Sequence, residues 1–307
     1  MCREQGKRMR HPIADLAAVV TVMDDGGSSG RLRREYKILP PGDIRNCLVA
    51  LSDDEALLSK LFRYRFAGGG VLRGHSLGNL LLTALTNITG DFAEAVRESG
   101  QVLAIRGRIY PSTLQNVTLE ATMEDGRVIA GETRIPRAHG RIRELHLRPR
   151  RVRPLAEAMS AIQQANLILV GPGSLYTSVI PNLLVSGVAR AIARSKATRV
   201  YISNLMTQPG ETDGMSTAAH VRAIYRQTGY KLFDYVVINN GKISPRVAKR
   251  YRAEGAAPVA TDARELARLG VRCVRGDLLD DRGVIRHDSV RLAKLLISMF
   301  LAHSDTH

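Results

Sequence analysis

Tryptophan is absent from this 307-residue chain, and the aromatic share is only 5%. A single-stranded nucleic-acid platform stacks bases on aromatics interleaved with basic residues, and that material is missing here. Cysteine is scarce: Cys2, Cys47 and Cys273 lie far apart, with no Cys-x-x-Cys pair. That excludes a disulfide framework and a zinc knuckle. No apolar run approaches the roughly 18 residues of a membrane span. The basic start MCREQGKRMRHP is not followed by an apolar stretch of signal-peptide character, so the expected location is cytoplasmic. There is no His-Glu-x-x-His, which weakens a zinc-hydrolase reading. Acidic residues number 29 against 45 basic ones, giving a net charge of +16. The excess is mostly arginine and clusters at 141–153 (RIRELHLRPRRVR). A basic surface attracts polyanions. Without aromatics, however, nucleic acid is the weaker reading, and a small acidic ligand such as a nucleotide sugar suits a basic cleft equally well.

Four short, β-branched segments bounded by turn residues are expected to form buried parallel strands: 17–23, 165–171, 198–204 and 234–240. Helical periodicity predicts helices at 43–53, 76–88, 91–103, 155–165, 217–228 and 289–302. Strands alternating with helices imply an α/β fold with a Rossmann-like, doubly wound, mostly parallel sheet. From 107 to 147 the pattern changes. Val117, Leu119 and Ala121 share one parity, and Glu124-Asp125-Gly126 marks a hairpin turn. The expectation is one domain over 1–307 with an antiparallel β insertion at 107–147, a lid or a flap through which a homodimer forms.

Ligands of doubly wound folds bind beyond the carboxyl ends of the strands, and the loops there carry the candidate residues. In VVTVMDDGGSSGRLRREY (19–36), Gly26, Gly27 and Gly30 allow close backbone approach, and Ser28 and Ser29 offer hydroxyls. Asp24 and Asp25 can bind sugar hydroxyls or hold Mg²⁺ through water, or merely cap a turn. In PPGDIRN (40–46), Asp43 is expected to cap a helix whose first turn carries Arg45 and Asn46. In GHSLGN (74–79), Gly74, Ser76 and Gly78 open a helix suited to phosphate, Asn79 can read a base or hydroxyl, and His75 is an acid–base candidate or a structural hydrogen-bonder. GPGSLYTS (171–178) sets Gly171, Gly173 and Ser174 between a strand and a helix, the best anion-site signal in the chain, although no Gly-Lys-Ser/Thr makes it a P-loop. Asn204, Thr207, Glu211, Thr212 and Asp213 follow the next strand.

Taken together, VVTVMDDGGSSGRLR, PPGDIRNCLVALSD, GHSLGNLLLTAL, LILVGPGSLYTSVIPNLLV, YISNLMTQPGETDG and IRHD (285–288) resemble the YvcK-like putative gluconeogenesis factor family of the CofD-like superfamily, in unbroken order from about residue 15 to about 300. The resemblance implies a cytoplasmic, Rossmann-like protein that binds a UDP-sugar, notably UDP-N-acetylglucosamine. It is linked to cell shape and to growth on gluconeogenic carbon sources. The superfamily's other branch is enzymatic: it transfers a phospholactyl-type group to a deazaflavin from a guanosine-nucleotide donor with Mg²⁺. The Gly-Gly-Ser-Ser-Gly run is similar to the first branch, so a regulatory binder is favoured over an enzyme. On this resemblance the diphosphate meets the backbone at Gly171–Ser174 and Gly74–Ser76, and Asp24 and Asp25 face the sugar or ribose. Asp43 lies near a metal or hydroxyl, Asn79 and Asn204 position polar groups, Tyr251 stacks on uracil and Arg286 pairs with phosphate. The resemblance also implies an initial strand leading into a Gly-Gly-Gly-Thr-Gly-Leu loop. Here the sequence reads MCREQGKRMRHPIADL instead, and the expectation is a less stable protein with weaker nucleotide binding than relatives that have the loop.

Overall fold

The structure, a computed structural model, describes residues 15–52, 57–280 and 283–304. The segment where the family's first strand and glycine loop are expected, 1–14, lies outside the described residues. The chain opens with β1 (Ala17–Val20), followed by α1 (Gly27–Tyr36), α2 (Gly42–Leu51), α3 (Leu57–Arg63), α4 (Leu77–Thr89) and α5 (Phe92–Val102). Four strands follow: β2 (Arg108–Pro111), β3 (Thr118–Met123), β4 (Val128–Ala130) and β5 (Ile142–Arg148). Next come α6 (Ala156–Gln164), β6 (Leu167–Val170), a wide helical turn at Leu175–Val179, α7 (Ile180–Leu184), α8 (Val188–Arg194) and β7 (Thr198–Ile202). The remainder is α9 (Thr217–Thr228), β8 (Tyr235–Asn239), α10 (Pro245–Ala253), α11 (Ala263–Arg268), β9 (Arg272–Gly276), β10 (Leu279–Asp280), β11 (Arg286–His287) and α12 (Ser289–Ser304).

All four strands expected to be parallel form, each shorter than its apolar run, and they occur in two ladders. β6, β7, β8 and β9 make a four-stranded parallel sheet in that order, and β1 pairs in parallel with β2. Helical crossovers separate the strands of the larger sheet, so their carboxyl ends share one rim. Four of the five residues of β8 are buried, as befits a strand covered on both faces. α9 spans the predicted residues because Ser216 caps it through Ala219 N and Gly229 ends it at φ +76°.

The antiparallel region differs from its expectation. Residues 108–111 belong to the parallel ladder with β1, and the antiparallel sheet has three strands in the order β4-β3-β5. The hairpin turn falls where Asp125-Gly126 predicts it, between β3 and β4, with Gly126 at φ +88°. Val117, Leu119 and Ala121 are fully buried. They share one core with Leu145 of β5, Tyr176, Ile180 of α7 and Ile224 of α9. A second core joins β1 and β2 to α2, α4 and α5, and a third packs α12 on β7 and β8. The β insertion therefore folds as one face of the main core.

Candidate binding site

The loop after β1 is shorter than its glycines suggest, because helix α1 begins at Gly27. Gly26 is its N-cap residue, and the Gly26 carbonyl accepts from Gly30 N at 2.8 Å. Ser28 and Ser29 consequently lie inside a helix and are buried. A methyl group on Gly30 would sit 2.0 Å from the Asp25 carbonyl, so only glycine lets the helix fold back on its own entry. Asp24 Oδ1 accepts from Gly26 N at 2.8 Å. Gly42 approaches Asp24 Oδ2 and Ser29 Oγ closely enough that a Cβ there would stand 2.7 and 2.4 Å from them. Asp43 does not cap α2. Gly42 is already helical and Pro41 holds the cap position, which leaves Asp43 in the first turn. Burial, followed by the charge of Asp24, raises the Asp43 carboxyl to about 6. Asn46 is exposed and accepts from Arg45 Nη2 at 2.7 Å.

Ser28 is the meeting point of the second loop. Its hydroxyl pairs with His75 Nδ1 at 3.0 Å and receives Asn79 Nδ2 at 3.2 Å and Ser76 N at 3.4 Å. His75 is buried, and desolvation, followed by the charge of Arg31, lowers its pKa. Ser76 donates its hydroxyl to the Phe62 carbonyl at 3.2 Å. Gly74, at φ +76°, lies against the Arg31 guanidinium. Asn79 Oδ1 is buried with no partner among the described residues.

The third and fourth loops meet each other. Gly171, at φ +86°, packs so close to the Ile202 carbonyl that a Cβ would stand 2.9 Å from it. Asn204 Nδ2 donates to the Gly173 carbonyl at 2.9 Å and its Oδ1 receives Gly173 N at 3.5 Å. Gln208 Nε2 donates to Ser174 Oγ at 2.7 Å. Thr212 is fully buried and accepts from Gln208 N at 2.8 Å, which makes it an internal strut of its loop. Asn204 also lines a cleft of about 390 Å³ with Ser203, Thr217, Asn239 and Lys242, at the carboxyl ends of β7 and β8. Tyr251 sits on α10, which gives Ala248 to the cleft wall, and its hydroxyl accepts from Ile285 N at 2.9 Å. Arg286 is exposed on β11.

Two glutamates join these loops. Thr133 donates its N–H and hydroxyl to Asp25 Oδ1, and Gly131 packs on Asp25 Oδ2, so the turn after β4 docks on the loop after β1. Glu132 is thereby half-buried among carboxylates. Desolvation first, then Asp24, Asp43, Asp25 and Glu211, raises it to about 8. Glu211 accepts from Tyr176 N at 3.4 Å and Thr177 Oγ1 at 3.2 Å, and burial raises its pKa too. Sequence reasoning did not select Glu132, Gln208, Asn239 or Lys242. Lys242 could have been found from its Gly-Lys position just beyond strand 234–240, whereas Glu132 has no motif. The carboxylates do not fit a protein-built metal cage: among the described residues no three His, Cys, Asp or Glu side chains stand at ligating spacing.

The loop after β1 touches 75–79, the loop 171–178 touches 203–214, and the turn after β4 contacts both groups through Thr133–Asp25 and Pro136–Gly210. The chain matches the family model "2-phospho-L-lactate transferase CofD" over residues 5–279. It is 47% identical over 292 residues to the gluconeogenesis factor of Bacillus subtilis, covering 95% of this chain and 92% of that protein. It is 50% identical over 290 residues to a Nostoc protein named putative gluconeogenesis factor, covering 94% of this chain but spanning only 64% of that protein. A crystal structure of a UPF0052 family member from Bacillus halodurans superimposes with a TM-score of 0.89 at 46% identity, covering 92% of this chain and 91% of that one. The chain belongs to the CofD family, within its gluconeogenesis-factor group.

Proposed function

We propose that the chain binds a nucleotide sugar, UDP-N-acetylglucosamine first among them, along the rim of its parallel strands, and acts as a regulator without turning it over. The observation that carries this reading is the double role of Asn204, which lines the 390 Å³ cleft and holds Gly173. The cleft volume lies within the range of small-molecule pockets, roughly 300–1,000 Å³. The nucleoside fits the cleft, where Lys242 supplies a cation for the diphosphate. The diphosphate reaches the backbone at Gly171–Ser174. The sugar extends toward Asp24, Asp43 and Glu132, and the protonated Glu132 can donate to a hydroxyl or acetyl oxygen. Regulation of cell shape and of growth on gluconeogenic carbon is the role proposed for the bound form, in the cytoplasm and as a homodimer.

A second reading, a phospholactyl-type transfer to a deazaflavin, is favoured by one observation: carboxyl groups with raised pKa values converge where a group could be transferred. Titration calorimetry with UDP-N-acetylglucosamine and with GDP separates the two, alongside an assay for nucleotide release in the presence of a deazaflavin. Saturable UDP-sugar binding without turnover supports the regulator. Preference for the guanosine nucleotide with release of product overturns it.

A further inference from the structure

Residues 64–77 form a finger whose tip, 67–73, takes no part in the nucleotide-sugar reading. The chain leaves α3 at Tyr64 and returns to α4 through paired backbone bonds: Leu77 N to Tyr64 O, Phe66 N to His75 O and Gly74 N to Phe66 O, each at 2.9 Å. Between them, Gly68, Gly69 and Gly70 have no atoms within 4 Å of where a Cβ would stand, so the tip projects free of the body. The tip then carries Val71 at 90% exposure and Leu72 at 47%, and the stem and α3 add Tyr64 at 51% and Leu57 at 72%. Scattered exposed apolar residues need no explanation, but an apolar tip on a built stem does. Residues 57–74 contain four basic side chains and no acidic one, and Lys60, Arg65 and Arg73 are exposed. Two copies meeting through this face would set like charges against each other. A protruding aliphatic tip, an amphipathic tyrosine at its stem and a basic surround match the layers of an anionic bilayer surface: acyl chains, interface and headgroups.

We propose that this finger docks the protein on an anionic lipid surface, with Val71 and Leu72 entering the acyl boundary. Because Gly74–Ser76 form its base, docking occurs beside the ligand loops. The test is co-sedimentation of the full chain with vesicles of equimolar phosphatidylglycerol and phosphatidylcholine, and with phosphatidylcholine alone. The wild-type protein pellets with the anionic vesicles only. V71D/L72D lowers affinity by roughly tenfold or more, whereas R141Q/R143Q, an equal change of two charges on the β insertion, changes it by no more than about threefold. The uncharged pair V71S/L72S weakens binding as well, and the exposed tip leaves melting temperatures unchanged. Several outcomes overturn the proposal. They are absence of pelleting, equal pelleting with neutral vesicles, equal losses in the two charge-changing variants, and a solution dimer that V71D/L72D dissolves.

Discussion

Thr133 gives Asp25 Oδ1 both its backbone N–H, at 2.9 Å, and its hydroxyl, at 2.8 Å, and so fastens the β insertion to the loop after β1. Asp25 is therefore a strut, whereas its neighbour Asp24 borders Gly42 and Ser29. Asp25→Ala leaves the Thr133 N–H without its acceptor in a part-buried place. It should destabilise by about 1–3 kcal/mol and weaken ligand binding by releasing Glu132. Thr133→Val should cost about 1 kcal/mol. Chemical denaturation of both variants checks the order.

The Glu132 carboxyl titrates near 8 in the folded protein against an ordinary 4.5. The native state holds this proton where the unfolded state has lost it, so stability falls as pH rises from about 4.5 to 8 and is level above. Glu132→Gln keeps the shape without the charge. It should flatten that limb and exceed the wild type at high pH by an amount on the order of 2 kcal/mol, read from melting temperature against pH. A variant no more stable than the wild type at high pH would place Glu132 in water.

His220 behaves in the opposite sense. It is fully buried with neither ring nitrogen partnered among the described residues, and desolvation lowers it to about 4 from 6.5. The unfolded state takes up a proton first, so stability drops as pH falls from 6.5 toward 4. His220→Leu should remove this acid limb and be near neutral or stabilising at pH 7, because no hydrogen bond is lost. Acid melts of the two proteins give the comparison.

Gly210 and Gly214 share the loop after β7 and have φ of +81° and +67°. A Cβ on Gly210 would stand 2.1 Å from the Pro136 carbonyl, whereas one on Gly214 meets nothing within 4 Å. Gly214→Ala should cost about 1 kcal/mol from backbone strain alone. Gly210→Ala should cost roughly 1–3 kcal/mol more, because the β insertion must move. Equal losses would mean that the insertion yields freely at Pro136.

Local patterns identified the parallel strands, six helices and the hairpin at Asp125-Gly126, because burial on both faces, capping by Ser216 and period-two alternation are written in adjacent residues. The start of α1 was not legible. Three glycines read as loop, and only the close contact between Gly30 and the Asp25 carbonyl explains why a helix fits there. The pairing of 108–111 with β1 was hidden for a related reason, since its partner lies about ninety residues upstream. Strand-end loops drew attention to Asp24, Gly173 and Asn204, which follow β1, β6 and β7. They could not show that Ser28, Thr212 and Asp25 are held by hydrogen bonds within and between loops. Glu132 was invisible because its position depends on docking of the turn after β4.

Hydrogen exchange with and without saturating UDP-N-acetylglucosamine measures most directly whether the loops act as one site. Joint protection of 24–30, 171–178 and 203–214 is the predicted result, lost together in Asn204→Ala. Protection confined to one loop, or none despite saturation, would contradict a shared crevice.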